Sequence, residues 1–201
     1  MKKAGKGEYG YFRWERFRRS LISGILLIAA GVIIVTGIIM HGNLRNIFTV
    51  FGMVMMIPFA MSLTGTIMVF LHKSLPEDRY NAIHEREGSL LMAYELYVTN
   101  EKGNSMLDAV AICGSEIVGL VSEKRSDKDF TKEYITKVMR QNGYKVNVHL
   151  MDSLPRFLER MDSLNEHADS LREGIAFRKD ERYPDYTREE LIWHLLTRIS
   201  L

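Results

Sequence analysis

Two long runs without a charged residue dominate the first third of the chain, and nothing like them follows. Ser20–Met40 spans 21 residues and Ile47–Leu71 spans 25, both dense in Ile, Leu, Val and Met. At a rise of ~1.5 Å per residue, about 20 apolar residues cross the hydrocarbon core of a bilayer. The pattern therefore predicts a two-helix transmembrane hairpin over 20–71, with spans at 20–40 and 47–71. A cleaved signal peptide would have a shorter apolar core followed by a small-x-small site. The first run instead ends in Met40-His41-Gly42-Asn43.

Beyond Pro76 the periods shorten. Pro76–Glu87 is polar and helix-compatible, with Gly88 as its stop. Ser89–Thr99, Met106–Cys113 and Glu116–Ser122 are apolar runs joined by Gly/Asn turns, which predicts an antiparallel meander. The Leu, Met, Ala and Glu of the first run also suit a helix. Ser126 with Asp129 suits a helix start; Phe130, Tyr134, Ile135, Val138 and Met139 follow at helical spacing up to Asn142-Gly143. Lys145–Leu150 alternates Val146, Val148 and Leu150 with polar residues, the mark of a strand with one buried face. Asp152 or Ser153 then caps a helix carrying Phe157, Leu158, Met161 and Leu164. The expected domain is small and mixed α/β, in the order α-β-β-β-α-β-α over 76–165.

Residues 166–201 read as a polar linker containing Pro184, then an amphipathic C-terminal helix. Thr187 and Glu190 form a capping box ahead of Leu191, Ile192, Trp193, Leu195, Leu196 and Ile199. Glu189 and Glu190 accompany Arg188 and Arg198, so this helix suits docking on protein better than lying on a bilayer. Residues 75–201 are expected to fold without the hairpin.

Charge orients this plan. Lys2, Lys3, Lys6, Arg13, Arg16, Arg18 and Arg19 precede the first span, whereas the connector between the spans holds only Arg45. Positive flanks stay in the cytoplasm, which predicts a basic cytoplasmic N-terminus over 1–19, a cytoplasmic α/β domain and a bacterial inner-membrane location. The overall net charge of +2 hides an acidic surplus after residue 71. The domain thus has no basic excess for nucleic acid, and its expected partners are the lipid bilayer and a protein, or a second copy of itself. Neither span contains Asp, Glu, Lys, Arg or His. Gly24, Ala30, Gly31 and Gly37 on one span and Ala60, Ser62 and Gly65 on the other suit a closely packed hairpin rather than a pore, and Pro58 is a candidate kink. The single cysteine, Cys113, rules out an internal disulfide and sits in an apolar run as a buried thiol would.

No phosphate-binding Gly loop, His/Cys metal cluster or nucleophile elbow occurs, and the six histidines do not pair at ligand spacing. Asp108 in the second strand run, Glu123 and Lys124 at the end of the third, and Glu85 or Glu87 on the preceding helix form one constellation. On these residues and this element order, positions 77–150 resemble the core of the restriction-endonuclease-like superfamily, above all the nuclease-related domains of bacterial membrane-associated proteins. The resemblance implies a metal-dependent phosphodiesterase or nuclease. Asp108 and Glu123 would hold Mg²⁺, and Lys124 would help activate water. The family spaces its Glu and Lys one residue apart; here they are adjacent, and adjacent strand residues face opposite ways. In layout the chain also resembles small two-span membrane proteins of Firmicutes, through Asn46-Ile47-Phe48-Thr49-Val50 and Tyr94-Glu95-Leu96-Tyr97-Val98-Thr99. That likeness implies no activity. The leading expectation is a membrane-anchored, non-catalytic cytoplasmic interaction module without cofactor; the nuclease is the alternative.

Overall fold

The structure is a computed structural model that describes residues 3–100, 103–121, 128–175, 177 and 183–200. The chain divides into two compact units: Tyr11–Ser74 belongs to one, and Ala4–Gly10 together with Leu75 onward forms the other.

The first unit is a helical pair, α1 (Tyr11–His41) and α2 (Ile47–Leu71), each long and apolar enough to cross a membrane. Helix α1 starts nine residues before the expected span, because Tyr11–Arg19 continues the helix with polar and aromatic side chains. Helix α2 has the expected limits; Asn46 caps it by accepting from the Thr49 N–H at 2.9 Å, and it runs on past Pro58. The seam between the helices is small and polar. A Cβ on Gly52 would lie 2.3 Å from Ile34 Cγ1, so only glycine allows this approach. Ser23 Oγ lies 2.8 Å from Ser62 Oγ and 3.0 Å from Thr66 Oγ1.

The second unit begins with α3 (Glu77–His84), shorter than the expected Pro76–Glu87, followed by β1 (Leu91–Asn100), β2 (Gly103–Cys113) and β3 (Glu116–Val121). Helix α4 (Lys128–Gln141) crosses over to β4 (Asn147–Met151), then come α5 (Leu154–Glu166), α6 (Ala168–Arg172) and α7 (Arg188–Ile199). The sheet order is β1-β2-β3-β4; the first three strands are antiparallel and β4 pairs parallel to β3. The α/β domain is thus mixed in sheet as well as in composition, since the α4 crossover brings β4 back parallel. The helix-compatible first run is a strand: pairing with β2 and burial on the sheet outweigh the propensity of Leu, Met and Ala.

Apolar side chains cover both faces of the sheet. On one face Tyr94, Ala109, Ala111, Val118 and Leu120 pack with Ile83 of α3 and with Phe157, Met161 and Leu164 of α5. On the other, Leu96, Val98, Val110, Ile112 and Ile117 pack with Ile135 and Met139 of α4 and with Ile192 and Leu196 of α7. Helix α7 therefore docks on its own domain; its Thr187–Glu190 capping box is formed, and Trp193 Nε1 donates to the Met92 carbonyl at 2.9 Å. The stretch expected to be linker after Glu166 contains α6, whose Ala168 joins the core. Cys113 is a buried free thiol, pushed up in pKa by burial.

Candidate functional site

A sheet buried on both faces leaves little room for charge, yet three of its acidic residues are buried, and the two most enclosed are Glu95 at 1% and Asp108 at 3% exposure. They occupy opposed positions in the continuous β1–β2 register, between the pairs Tyr94↔Ala109 and Leu96↔Leu107. Against β3 the register slips between Leu107 and Ala109, which makes Asp108 a bulge residue. Alternation breaks on β1 as well. Tyr94 faces α5 while Leu96 and Val98 both face α7, and Glu95 takes up the extra residue with φ +52°. Positive φ is costly for a side-chain-bearing residue, and only surroundings that over-determine it hold it there.

Both carboxylates turn toward the α3 side. Glu95 Oε1 accepts from the Leu75 N–H at 3.0 Å, and Arg79 Nη1 of α3 lies 3.7 Å from Asp108 Oδ2. Glu95 thereby fixes the start of the domain, and Asp108 ties α3 to the middle strand. A divalent hard cation would find two carboxylate ligands here, but only in competition with these contacts. Among the described residues no three His, Cys, Asp or Glu side chains gather into a possible metal site.

Next to this pair lies an aromatic group. Tyr80 of α3 stacks on Tyr9 at 3.8 Å and on His84 at 5.3 Å, and meets Tyr94 edge-on. The Tyr94 hydroxyl donates to Glu87, whose other oxygen lies 2.8 Å from His84 Nδ1. Burial first, then the Glu87 carboxylate, drives the Tyr94 phenol far above its ordinary pKa, so it stays protonated. At the far end of the sheet Glu116 accepts from Asn147 Nδ2 at 2.7 Å and from Arg160 at 3.2 Å, joining β3, β4 and α5. In a cavity of about 360 Å³ beside Gly114, Phe177 and Arg188, Arg172 pairs with Glu189 at 2.9 Å and Arg188 donates to the Gly114 and Lys145 carbonyls.

Of the residues singled out in the sequence, Asp108 is buried at the β2 bulge, Glu85 is exposed at the end of α3 and Glu87 is engaged with Tyr94 and His84. Glu123, Lys124 and the Ser126 cap lie outside the described residues. The β3 residues in register with the Asp108 bulge are Leu120 and Val121, both apolar and buried. Glu95 is the residue that sequence reasoning passed over. Its signal was an acid placed between Tyr94 and Leu96 in an otherwise apolar strand. No known family, curated protein or solved structure matches the chain.

Proposed function

We propose that the protein is a membrane-anchored module: α1 and α2 cross the bilayer as a hairpin and hold the α/β domain at the cytoplasmic face, where it binds a protein partner without catalysis. One observation carries the membrane part. Among the described residues every exposed large hydrophobic side chain, Tyr183 apart, lies between Phe17 and Leu71. A soluble protein rarely tolerates such a surface, whereas lipid accepts it. Topology has separate support. Ala4–Gly10 packs within the same unit as the chain from Leu75 onward, which supports a reading with the chain before α1 and the chain after α2 on one side of the membrane. An even number of crossings fits this reading, and the seven basic residues before Ser20 favour the cytoplasm as that side.

The non-catalytic reading is supported at Asp108. Its neighbours across β3 are apolar, and both buried carboxylates are committed to holding α3 and Leu75. One observation favours the nuclease reading instead, namely that Glu95 and Asp108 sit opposite each other on adjacent strands as two ligands of a metal could. Carbonate extraction of membranes, with alkaline phosphatase or a fluorescent protein fused after residue 201, tests the anchor. The protein should stay in the pellet and the fluorescent fusion should glow; phosphatase activity would reverse the orientation. Purified full chain incubated with Mg²⁺ or Mn²⁺ and single- or double-stranded DNA should leave the DNA intact. Cleavage abolished by Asp108→Asn would establish the alternative.

A further inference from the structure

β1 is an edge strand, and an open edge invites pairing with any extended chain. Here a segment before α1 and the residue that caps α7 close it. Ser200, the C-cap of α7, bridges to Val98, and the Tyr94 N–H donates to the Gly7 carbonyl at 2.8 Å. Residues 5–8 form a tight turn: the Glu8 N–H donates to the Gly5 carbonyl at 3.1 Å, and the Glu8 carboxylate accepts from the Gly5 N–H at 2.7 Å. Gly7 is third in that turn with φ +85°, a conformation that glycine adopts without penalty. It is buried, and a Cβ there would sit 2.8 Å from both Trp193 Cζ2 and Thr197 Cγ2. Lys6 donates to the Ser200 carbonyl, placing a cation at the negative end of α7, and Tyr9 stacks on Tyr80.

We propose that the groove between the outer edge of β1 and α7 is a peptide-docking site whose ligand is a lysine–glycine turn followed by an aromatic residue, filled in cis by residues 5–9. Each part of that ligand has its own receptor: a helix C-terminus for the cation, a closed steric slot for the glycine, a strand N–H for its carbonyl and a flat ring for the tyrosine. Because Gly10 leads directly into α1, occupancy of the groove depends on the chain that enters the first helix. The inference is independent of whether that helix lies in lipid.

The test uses the full chain in detergent with Trp14→Phe, which leaves Trp193 as the sole tryptophan. Gly7→Val should raise acrylamide quenching of Trp193 about twofold and speed amide exchange in β1 at least about tenfold, while β3 and α5 keep their protection. A tethered segment has an effective concentration near the millimolar range, so a synthetic peptide of residues 3–10 at ~1 mM should restore the parental quenching. The same peptide with valine for the glycine should not. Lys6→Ala, which leaves the steric slot intact, should give a smaller opening with the same rescue, and serves if Gly7→Val does not fold. Unchanged Trp193 quenching in both variants would overturn the proposal. So would opening that the peptide fails to reverse, or protection lost evenly across the whole domain.

Discussion

The hairpin and the α/β domain use the same aliphatic residues inside out. Phe12 and Val69 apart, the buried positions of the hairpin are small or polar, among them Ser23, Ala30, Gly37, Thr49, Gly52 and Thr66, while Ile28, Val32, Ile39, Met61 and Leu71 face outward. Within the domain Ile83, Leu107, Ile112, Phe157 and Leu164 are fully enclosed. The difference teaches where the driving force comes from. Domain helices gather because water expels their apolar faces. Where lipid is as apolar as the side chains, helices meet through close backbone approach and hydroxyl contacts.

That contrast can be broken from either side. Phe157→Ala, at a site with no exposure, should destabilise the domain by about 3–5 kcal/mol. Denaturant melts followed by Trp193 fluorescence should report this loss while, on the proposed membrane anchoring, carbonate extraction leaves the protein in the pellet. Loss of both together would mean that the two units are not separable.

Next in size is the buried carboxylate. Arg79→Leu removes the guanidinium that lies 3.7 Å from the buried Asp108 carboxylate, at a cost of about 2 kcal/mol, below the usual range for buried pairs because Arg79 is 46% exposed. Asp108→Asn in the Arg79→Leu background should recover part of that loss. Equal melting midpoints for the single variant and the parent would show that the ion pair does not stabilise the fold.

Removing the α7 cap should cost less. Thr187→Ala is expected to lower stability by about 1 kcal/mol. The same box gives a pH signature. Glu190 is held below the usual carboxylate pKa by the Thr187 N–H and hydroxyl. Its contribution is therefore fully present above the unfolded-state value of about 4.3 and is lost as pH falls through the lower folded value. The melting difference between parent and Glu190→Gln should be constant from about pH 6 to 8 and shrink toward pH 3. A difference that grows on acidification would contradict the depressed pKa.

The smallest effect belongs to the seam. Ser23→Ala removes the hydroxyl that meets Ser62 and Thr66, and should weaken helix association by about 0.6 kcal/mol. Cross-linking between cysteines placed on α1 and α2 should fall only slightly. Collapse of the cross-link would mean that the hydroxyl group holds the pair together.

Much of the secondary structure was legible because its cues are local. Helix α2 and the Thr187–Glu190 cap could be placed from hydropathy and capping residues alone. Ile135, Met139, Phe157, Met161 and Leu164, marked by helical spacing, are buried in the domain. Helix α6 escaped because five residues carry too little periodicity to stand out from polar surroundings. The candidate site was half legible. Asp108 stood out as an acid in a strand, but nothing local marks Glu95 as its cross-strand neighbour.

Periodicity and charge order are enough to divide this chain into an apolar helical pair and a mixed α/β domain, because each pattern is written within one or two turns or strands. Three features needed the assembled sheet. The pleat shift at Glu95 and Asp108 exists only where β2, in continuous register with β1, slips by one residue against β3. The parallel placement of β4 follows from the path of α4 over one face. Lastly, residues 4–10, expected only as part of a basic N-terminus over 1–19, belong to the domain because Gly7 fits between Trp193, Thr197 and the edge of β1. Contacts between positions some 90 to 190 residues apart leave no mark on local pattern; they arise only when the chain has closed on itself.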